Sequence, residues 1–145
     1  MLKFVKTRDV KTPKYSSEGA AGLDIFIPND ISAQKLQIDP HKDIKIPMGL
    51  RFDIPKNFCL LAVDKSGIST KQKLLVGAKL IDEDFTGIPS IHLINTSTQK
   101  VFLQPGQKII QLIYMPYYQP ILQEVKEINK ETERGSGGFG STGLL

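Results

Sequence analysis

The chain has 145 residues, of which 40% are hydrophobic and 23% charged, and its formal net charge at pH 7 is +4. This length predicts one domain with a core of its own. The basic residues are dispersed and form no run, so the charge favours a small polyanionic ligand over a nucleic acid. A single cysteine, Cys59, excludes a disulfide within the chain, and no apolar stretch approaches the roughly 20 residues that cross a bilayer. The N-terminal sequence lacks the apolar centre of a signal peptide, so we expect an intracellular protein without a membrane anchor.

Short apolar runs bounded by turn residues recur along the chain and predict strands. In chain order they are LKFV, LDIFI, FCLLAV, SIHLIN, KVFL and KIIQLIY. The clearest period of two runs from Ile44 to Ile54, with an interruption near Pro47. Breakers such as Pro28-Asn29-Asp30, Ser66-Gly67 and Pro105-Gly106 separate these runs. The pattern predicts an all-β sandwich or barrel, with at most a turn or two of helix near residues 66–73 and with Cys59 as a buried small hydrophobe.

The last part of the chain differs from the rest. Residues 124–133 are charged and weakly apolar, which predicts a solvated tether, and they lead into RGSGGFGSTG at 134–143. Such a glycine-rich segment should order only when a ligand or another chain holds it. Arg134, Ser141, Thr142 and several backbone N–H groups could bind phosphates, and Phe139 could stack on a flat ring. A disordered Gly/Ser tail is the alternative.

Four further stretches combine turn glycines with charged or hydroxyl groups. They are AAGLDI at 20–25, DKSGIST at 64–70, LIDEDFTG at 80–87 and PGQKIIQLI at 105–113. Lys65 and Ser66 could bind phosphate oxygens, although an ordinary solvated turn explains them equally well. Asp82 follows an apolar run, where it could serve as a general base or be one of several surface acids.

The histidines and the cysteine do not form a metal-binding pattern. Neither His41 nor His92 has a second ligand at a useful spacing, which argues against a protein-held zinc ion. Any metal should instead be Mg²⁺ that arrives on phosphates, since Mg²⁺ keeps several waters and takes few protein ligands.

Taken in order, the five stretches resemble the five motifs of the homotrimeric dUTPase (dUTP diphosphatase) family, from Ala20 to Gly143. RGSGGFGSTG matches the family's last motif at every fixed position, and GAKLIDEDFTG matches the third with few changes. The resemblance implies a jelly-roll β core over residues 1–123 and a tether with a C-terminal lid arm over 124–145. It also implies a homotrimer with three active sites at subunit interfaces. The activity implied is Mg²⁺-dependent hydrolysis of dUTP to dUMP and pyrophosphate, which limits uracil in DNA and supplies dUMP.

The resemblance also implies a role for individual residues. Asp82 would activate the water that attacks the α-phosphorus in line, and Phe85 would pack under the deoxyribose where a 2′-hydroxyl does not fit. A hairpin from Gly77 to Ile81 would read uracil through its main chain, and Asp24 would be structural or lie near the metal. The remaining substrate-binding residues implied are Lys65, Ser66, Gly67, Lys79, Gln111, Arg134, Gly138, Phe139, Gly140, Ser141 and Thr142.

Several positions depart from the family's pattern. Asp64-Lys65 stands where Pro-Arg is usual, Phe85 replaces Tyr, Lys79 replaces Gly, and Gln107-Lys108 replaces Asp-Arg. We expect these changes to alter affinity and rate more than reaction type, since Lys offers a point charge where Arg offers a fork.

Two other functions share this fold. A dCTP deaminase would carry a catalytic Glu on the strand that leads into an Asn, and the matching SIHLIN has no acid. A catalytically idle nucleotide-binding or regulatory protein is the second alternative, favoured by the unusual second motif. Release of pyrophosphate, of ammonia, or of neither separates the three.

Overall fold

The structure is a computed structural model that describes residues 1–129, 131–132 and 135–138. These residues contain twelve strands, one α-helix and one 3₁₀ helix. The strands are β1 (Lys3–Lys6), β2 (Lys14–Tyr15), β3 (Gly22–Phe26), β4 (Gln37–Ile38), β5 (Asp43–Pro47), β6 (Leu50–Asp53), β7 (Phe58–Asp64), β8 (Leu74–Val76), β9 (Leu80–Ile81), β10 (Ser90–Asn95), β11 (Val101–Phe102) and β12 (Lys108–Pro116). The helices are α1 (Ser66–Gln72) and the 3₁₀ helix Ala33–Leu36. The predicted all-β class is therefore confirmed, and each predicted apolar run contains a strand.

The strands form two larger sheets and two small pairs, and all the described pairings are antiparallel. The larger sheet has the order β2-β3-β12-β7-β9, and the smaller has the order β5-β10-β8. The small pairs are β1 with β6 and β4 with β11. This order places β12, the longest strand, in the centre of the larger sheet between β3 and β7.

The period of two between residues 44 and 54 corresponds to half-buried strands, as predicted. Ile46, Met48, Leu50 and Phe52 are buried, whereas the residues between them on the strands are exposed. The interruption is confirmed as well, because β5 ends at Pro47 and β6 begins at Leu50. Gly49 makes the break possible, since its φ is +73° and a Cβ there would lie 2.6 Å from the Arg8 side chain.

One apolar core lies between the sheets. It takes alternate residues from their strands, among them Ile91 and Leu93 of β10 and Leu112 of β12, which are almost fully enclosed. Cys59 is buried at the edge of this core as a free thiol, as predicted. None of the helices in the described residues is long and apolar enough to cross a membrane.

Helix α1 confirms the expectation of a short helix near residues 66–73. Ser66-Gly67 begins this helix and is not a simple turn between strands. Lys73 ends the helix in the left-handed region with a φ of 55°, and its carbonyl oxygen accepts hydrogen bonds from the backbone N–H and hydroxyl of Thr96.

Candidate active site

A fully buried carboxylate, Asp24, gathers four polar side chains at one end of the larger sheet. Lys108 Nζ lies 2.8 Å from Asp24 Oδ2, and Lys65 Nζ lies 3.1 Å from Oδ1. Gln111 Nε2 donates to Oδ1 over 3.1 Å, and the Ser16 hydroxyl donates to Oδ2. We call Ser16, Asp24, Lys65, Lys108 and Gln111 the Asp24 cluster. It contains three predicted site residues and one positive charge in excess.

The strand order explains why these residues meet. Asp24 on β3 and Gln111 on β12 are direct cross-strand partners, so their side chains lie on the same face of the sheet. On the other side of β12, β7 ends at Asp64 and delivers Lys65 to the same end of the sheet. Gly22 admits the Gln111 side chain, because a Cβ at Gly22 would lie only 2.8 Å from it.

The cluster holds Asp24 ionised. Burial alone raises the pKa of Asp24, but hydrogen bonds from Lys108, Ser16, Lys65 and Gln111 outweigh that effect and lower its pKa far below the usual 3.8. The protein therefore binds this carboxylate on both oxygens, and the same contacts hold the two lysines and Gln111 in place.

The unusual residue Asp64 has a structural role. Its Oδ1 accepts the backbone N–H of Val76 over 2.6 Å, which joins the end of β7 to the end of β8. The next residue, Lys65, precedes α1 and turns its ammonium group towards Asp24. Ser66 and Gly67 follow in the first turn of α1, and both are exposed. The Asp64-Lys65 pair thus anchors the segment on both sides.

Asp82 lies in a different part of the molecule, directly after β9. Its side chain is exposed, and within the described residues no hydrogen bond reaches its carboxylate. It lines two clefts, of about 620 Å³ and about 210 Å³. The larger cleft is lined by Cys59, Leu80, Asp82, Glu83, Asp84, Tyr117 and Gln119. Asp82 is therefore open to a ligand and to water.

The carboxylate of the neighbouring acid, Glu83, is hydrogen-bonded within the protein. Its carboxylate accepts the backbone N–H of Asn57, a residue with a φ of 65°. Burial, a hydrogen bond to Glu83 and the nearby charges of Asp82 and Asp84 together raise the pKa of Tyr117. Of the three consecutive acids, Glu83 is thus structural, and Asp82 is the one that lines both clefts.

The smaller cleft is mainly apolar and contains Phe85. Its lining residues are Met48, Ala62, Ala78, Leu80, Ile81, Asp82, Phe85, Pro89 and Ser90. Phe85 is 45% exposed, and its ring lies against Gly87, where a Cβ would approach the ring to 2.7 Å. The cleft thus offers a flat apolar surface beside the exposed carboxylate of Asp82.

The segment from Gly77 to Ile81 is not a hairpin in which its own two strands pair. β8 pairs with β10 and β9 pairs with β7, so the segment crosses from the smaller sheet to the larger. Two backbone hydrogen bonds fix its ends, from Gly77 N–H to the His92 carbonyl over 3.0 Å and from Ala62 N–H to the Lys79 carbonyl over 2.7 Å. The side chain of Lys79 is exposed.

His92 supports this segment, although in the sequence it stood out only as a histidine without a second metal ligand at a useful spacing. Its Nδ1 accepts the backbone N–H of Ala78 over 3.0 Å, and its Nε2 lies 3.0 Å from Asp43 Oδ2. Ser16 of the Asp24 cluster was also missed, and Lys108 stood out only as a departure from the family's pattern. No local pattern marks His92 or Ser16, because each meets partners that are distant in sequence.

The two groups of site residues are separated along β7. Leu60 pairs with Ile81, so Asp82 lies level with Cys59, six positions before Lys65. At about 3.3 Å per residue this separation is roughly 20 Å. The structure therefore brings Asp24, Lys65 and Gln111 together, and separately Asp82 and Phe85, but does not join the two groups within one chain.

The predicted residues of the glycine-rich segment are only partly described. Gly138 is exposed, and apart from its chain neighbours no atom of the described residues lies within 4 Å of the position that a Cβ would take. Arg134, Phe139, Gly140, Ser141 and Thr142 lie outside the described residues. Before this segment, the stretch from 117 to 129 contains no helix or strand and exposes Tyr118, Ile121, Leu122 and Ile128 by more than 80% each.

Comparisons with known proteins agree with this architecture. A model of the dUTPase family matches residues 8–143. The deoxyuridine 5'-triphosphate nucleotidohydrolase of Cowpox virus is 38% identical over 145 residues, which cover 99% of this chain and 93% of that protein. A mutant dUTPase of Staphylococcus bacteriophage 80alpha with dUpNHpp has a TM-score of 0.85 at 23% identity, covering 99% of both chains. A mutant dUTPase from phage phi11 of S. aureus, with a structural Mg(II) ion, has a TM-score of 0.78 at 20% identity, covering 90% of this chain and 99% of that one. At such identities these two structures are evidence for the fold.

Proposed function

Because the chain belongs to the dUTPase family, whose members named above are dUTP nucleotidohydrolases, we propose that it hydrolyses dUTP to dUMP and pyrophosphate. In this reaction Asp82 activates a water molecule for in-line attack on the α-phosphorus. The single observation that carries the proposal is the position of Asp82, an exposed carboxylate without a described partner that lines both the larger cleft and the smaller, mainly apolar cleft. The product dUMP is the precursor for thymidylate, and removal of dUTP limits uracil in DNA.

Asp82 is suited to the role of general base because no group in the described part of the chain donates a hydrogen bond to its carboxylate. A base must come within hydrogen-bond reach of the proton that it removes, directly or through one water. Asp82 lies at the rim of both clefts, so a nucleoside in the apolar cleft would place its phosphates beside the carboxylate. Phe85 would then contact the deoxyribose, and the backbone of the Gly77–Ile81 segment would face the base.

The Asp24 cluster is suited to binding the phosphate chain. Lys65 and Lys108 are only 28% and 36% exposed, and Asp24 fixes them, but an ammonium group has three N–H donors and can bind a phosphate oxygen as well. Gln111 and the exposed Ser66 would add neutral donors. Lys65 thus stands where the family usually has Arg, and its ammonium group lacks the two parallel N–H donors of a guanidinium.

The described side chains fit a Mg²⁺ ion carried mainly by the substrate. Within the described residues no group of three or more His, Cys, Asp or Glu side chains could enclose a metal, and both Asp24 oxygens are already engaged. Mg²⁺ commonly binds through substrate phosphates, waters and one or two carboxylates. When bound, it would neutralise charge on the phosphates of dUTP.

We propose that neighbouring chains complete each site in a homotrimer. The roughly 20 Å between Lys65 and Asp82 along β7 exceeds the length of a triphosphate chain, so one dUTP attacked beside Asp82 does not reach the Asp24 cluster of the same chain. A second chain would then supply the phosphate-binding residues. The arm over residues 124–145 of a neighbouring chain would close the site. Arg134, Ser141 and Thr142 would bind the triphosphate, and Gly138, Phe139 and Gly140 would lie over the base.

The decisive experiment is a product assay with Mg²⁺ on dUTP, dCTP, dTTP and UTP. We expect dUMP and pyrophosphate from dUTP alone. Ammonia from dCTP would show a deaminase instead, and binding without turnover would show an idle nucleotide-binding protein.

The variant Asp82→Asn tests the role of Asp82 as the general base, because it keeps the shape of the side chain but cannot accept the proton. We expect kcat to fall about 10³-fold or more while dUpNHpp still binds. Asp84→Asn is the control, since Asp84 is a neighbouring exposed acid that lines only the larger cleft, and its kcat should stay within about threefold. Equal losses in the two variants would remove Asp82 as the base.

A further inference from the structure

His92 occupies the middle of β10, and both of its ring nitrogens have a partner. Nδ1 lies 3.0 Å from the backbone nitrogen of Ala78, and Nε2 lies 3.0 Å from Asp43 Oδ2. The imidazole side chain is only 19% exposed. The ring therefore links β5 to the segment that crosses between the sheets.

The two partners determine which tautomer this arrangement needs. A backbone N–H can only donate, so Nδ1 must be the unprotonated nitrogen that accepts from Ala78. Nε2 then carries the proton and donates it to the Asp43 carboxylate. The contact with Ala78 thus exists only while the imidazole is neutral.

The backbone of the crossing segment lies directly on the ring. A Cβ on Gly77 would come to 2.2 Å from His92 Nδ1, so only glycine allows this approach. The Gly77 N–H also donates to the His92 carbonyl over 3.0 Å. The next residue, Ala78, lines the apolar cleft together with Asp82 and Phe85. The imidazole therefore determines where one wall of that cleft lies.

We propose that neutral His92 is a positioning residue for substrate, because it holds the Ala78 amide and so fixes the wall of the apolar cleft against which the nucleoside lies. This inference rests on the proposed function, in which dUTP occupies that cleft. His92 does not touch the substrate and acts through Ala78. Its loss or protonation should weaken binding of the nucleotide more than it slows the chemical step.

Charged groups lie on both elements that pack against the imidazole. On β5, Asp43 is the partner of Nε2 and its side chain is 55% exposed, and Lys45 is the direct cross-strand partner of His92. On the crossing segment, Lys79 is exposed. Once protonated, Nδ1 becomes a donor that faces the Ala78 N–H donor, and the hydrogen bond is lost.

The test compares wild type with His92→Asn and His92→Leu between about pH 8 and pH 5.5, the range in which histidines ordinarily titrate. An Asn oxygen can replace Nδ1 as acceptor and does not titrate, whereas Leu offers no acceptor. Relative to wild type at pH 8, we expect KM for dUTP and Kd for dUpNHpp to rise about tenfold at low pH in wild type and at every pH in His92→Leu. In His92→Asn both should change by less than about threefold, and kcat should stay within about threefold in all three.

A measurement without substrate separates this inference from the proposed function. The amide resonance of Ala78 in ¹⁵N NMR spectra should move with pH in wild type and not in His92→Asn. If dUTP is not hydrolysed but this resonance and dUpNHpp binding follow the imidazole, then the function is wrong and the positioning role stands. If dUTP is hydrolysed and His92→Asn keeps the wild-type pH profile of KM, then the positioning role is wrong.

Discussion

Among single residues, Asp24 best shows how the chain uses a buried charge. Its carboxylate has no exposed surface, and four side chains from distant parts of the sequence donate to it. Removal of one partner from a buried ion pair is generally costly, because the remaining charges lose their compensation. Here the remaining charges would be two ammonium groups close together.

We therefore expect Asp24→Asn to lower the free energy of unfolding at pH 7 by about 2 kcal/mol, below the range for fully buried pairs because both lysines are partly exposed. The folded protein lowers the pKa of Asp24, so its stabilisation is present above the unfolded value near 3.8 and is lost as the pH falls below that value. The difference between variant and wild type should therefore shrink between about pH 4 and pH 2. Urea unfolding at fixed protein concentration measures both effects.

Asp53→Asn is the control for this variant. Asp53 and Lys3 also lie 3.1 Å apart, but both side chains are about 70% exposed. Such a surface pair contributes about 0–1 kcal/mol, so this variant should change stability little at either pH. Similar losses in the two variants would mean that burial adds nothing to the Asp24 interactions.

The sequence identified some of these residues and not others, for a physical reason. Asp24, Lys65 and Gln111 stand in glycine-rich stretches of unusual polarity, which a single sequence shows. Lys108 stands in the same stretch as Gln111, but its contact with Asp24, like that of Ser16, depends on β3, β12 and β2 being neighbours in the sheet. Strand neighbours depend on the whole chain, so a local pattern does not reveal these contacts.

At the scale of elements, the segment from Gly77 to Ile81 connects the two larger sheets. The alternation between Ile44 and Ile54 predicted β5 and β6 with their break, because it records which residues face the core. The hairpin from Gly77 to Ile81, in contrast, was implied only by the resemblance to the family's third motif. The structure differs because β8 pairs with β10 and β9 pairs with β7, so the two strands belong to different sheets.

Gly77→Ala tests how closely this segment must approach β10. The new methyl group would lie 2.2 Å from His92 Nδ1, so the ring or the backbone must move. We expect a loss of about 2 kcal/mol in the free energy of unfolding, as for other overpacked sites. Gly19→Ala is the control, because no atom lies within 4 Å of its Cβ position, and thermal unfolding should show little change. A wild-type stability for Gly77→Ala would mean that the segment relaxes freely.

At the scale of the whole molecule, the question is how many chains contribute to one site. The separation of Asp82 from the Asp24 cluster favours more than one. The apolar side chains of Tyr118, Ile121, Leu122 and Ile128 are almost fully exposed in a single chain, and exposed apolar surface of this kind often marks a protein–protein contact. The resemblance to known motifs predicted a site shared between chains, and this stays a prediction.

Mixing two inactive variants tests whether the arm acts on another chain. One variant is Asp82→Asn with its arm, and the other lacks residues 134–145 but keeps Asp82. After dissociation and reassembly, arms that dock on a neighbouring chain should restore activity, because some sites then combine an intact Asp82 with an intact arm. The residues from 124 to 133 can span up to about 33 Å, which is enough to reach a neighbour.

Activity that stays at the level of the separate variants would show that each arm serves the Asp82 of its own chain. This conclusion requires proof that subunits exchange, which a mass tag on one variant provides. As the matched control, each variant is dissociated and reassembled alone, and this should restore no activity.

The Asp24 cluster also affects how much side-chain entropy is lost when a ligand binds. A lysine side chain that is free in solution loses up to about 2 kcal/mol of rotamer entropy when it is immobilised. Asp24 has already restricted Lys65 and Lys108 during folding, so the binding of a polyanion need not restrict them a second time. A buried anion in a phosphate-binding site therefore lowers the net positive charge but also lowers the entropic cost of binding. For this chain, part of the affinity for phosphate would thus be determined when β3, β12 and β7 come together, before any nucleotide arrives.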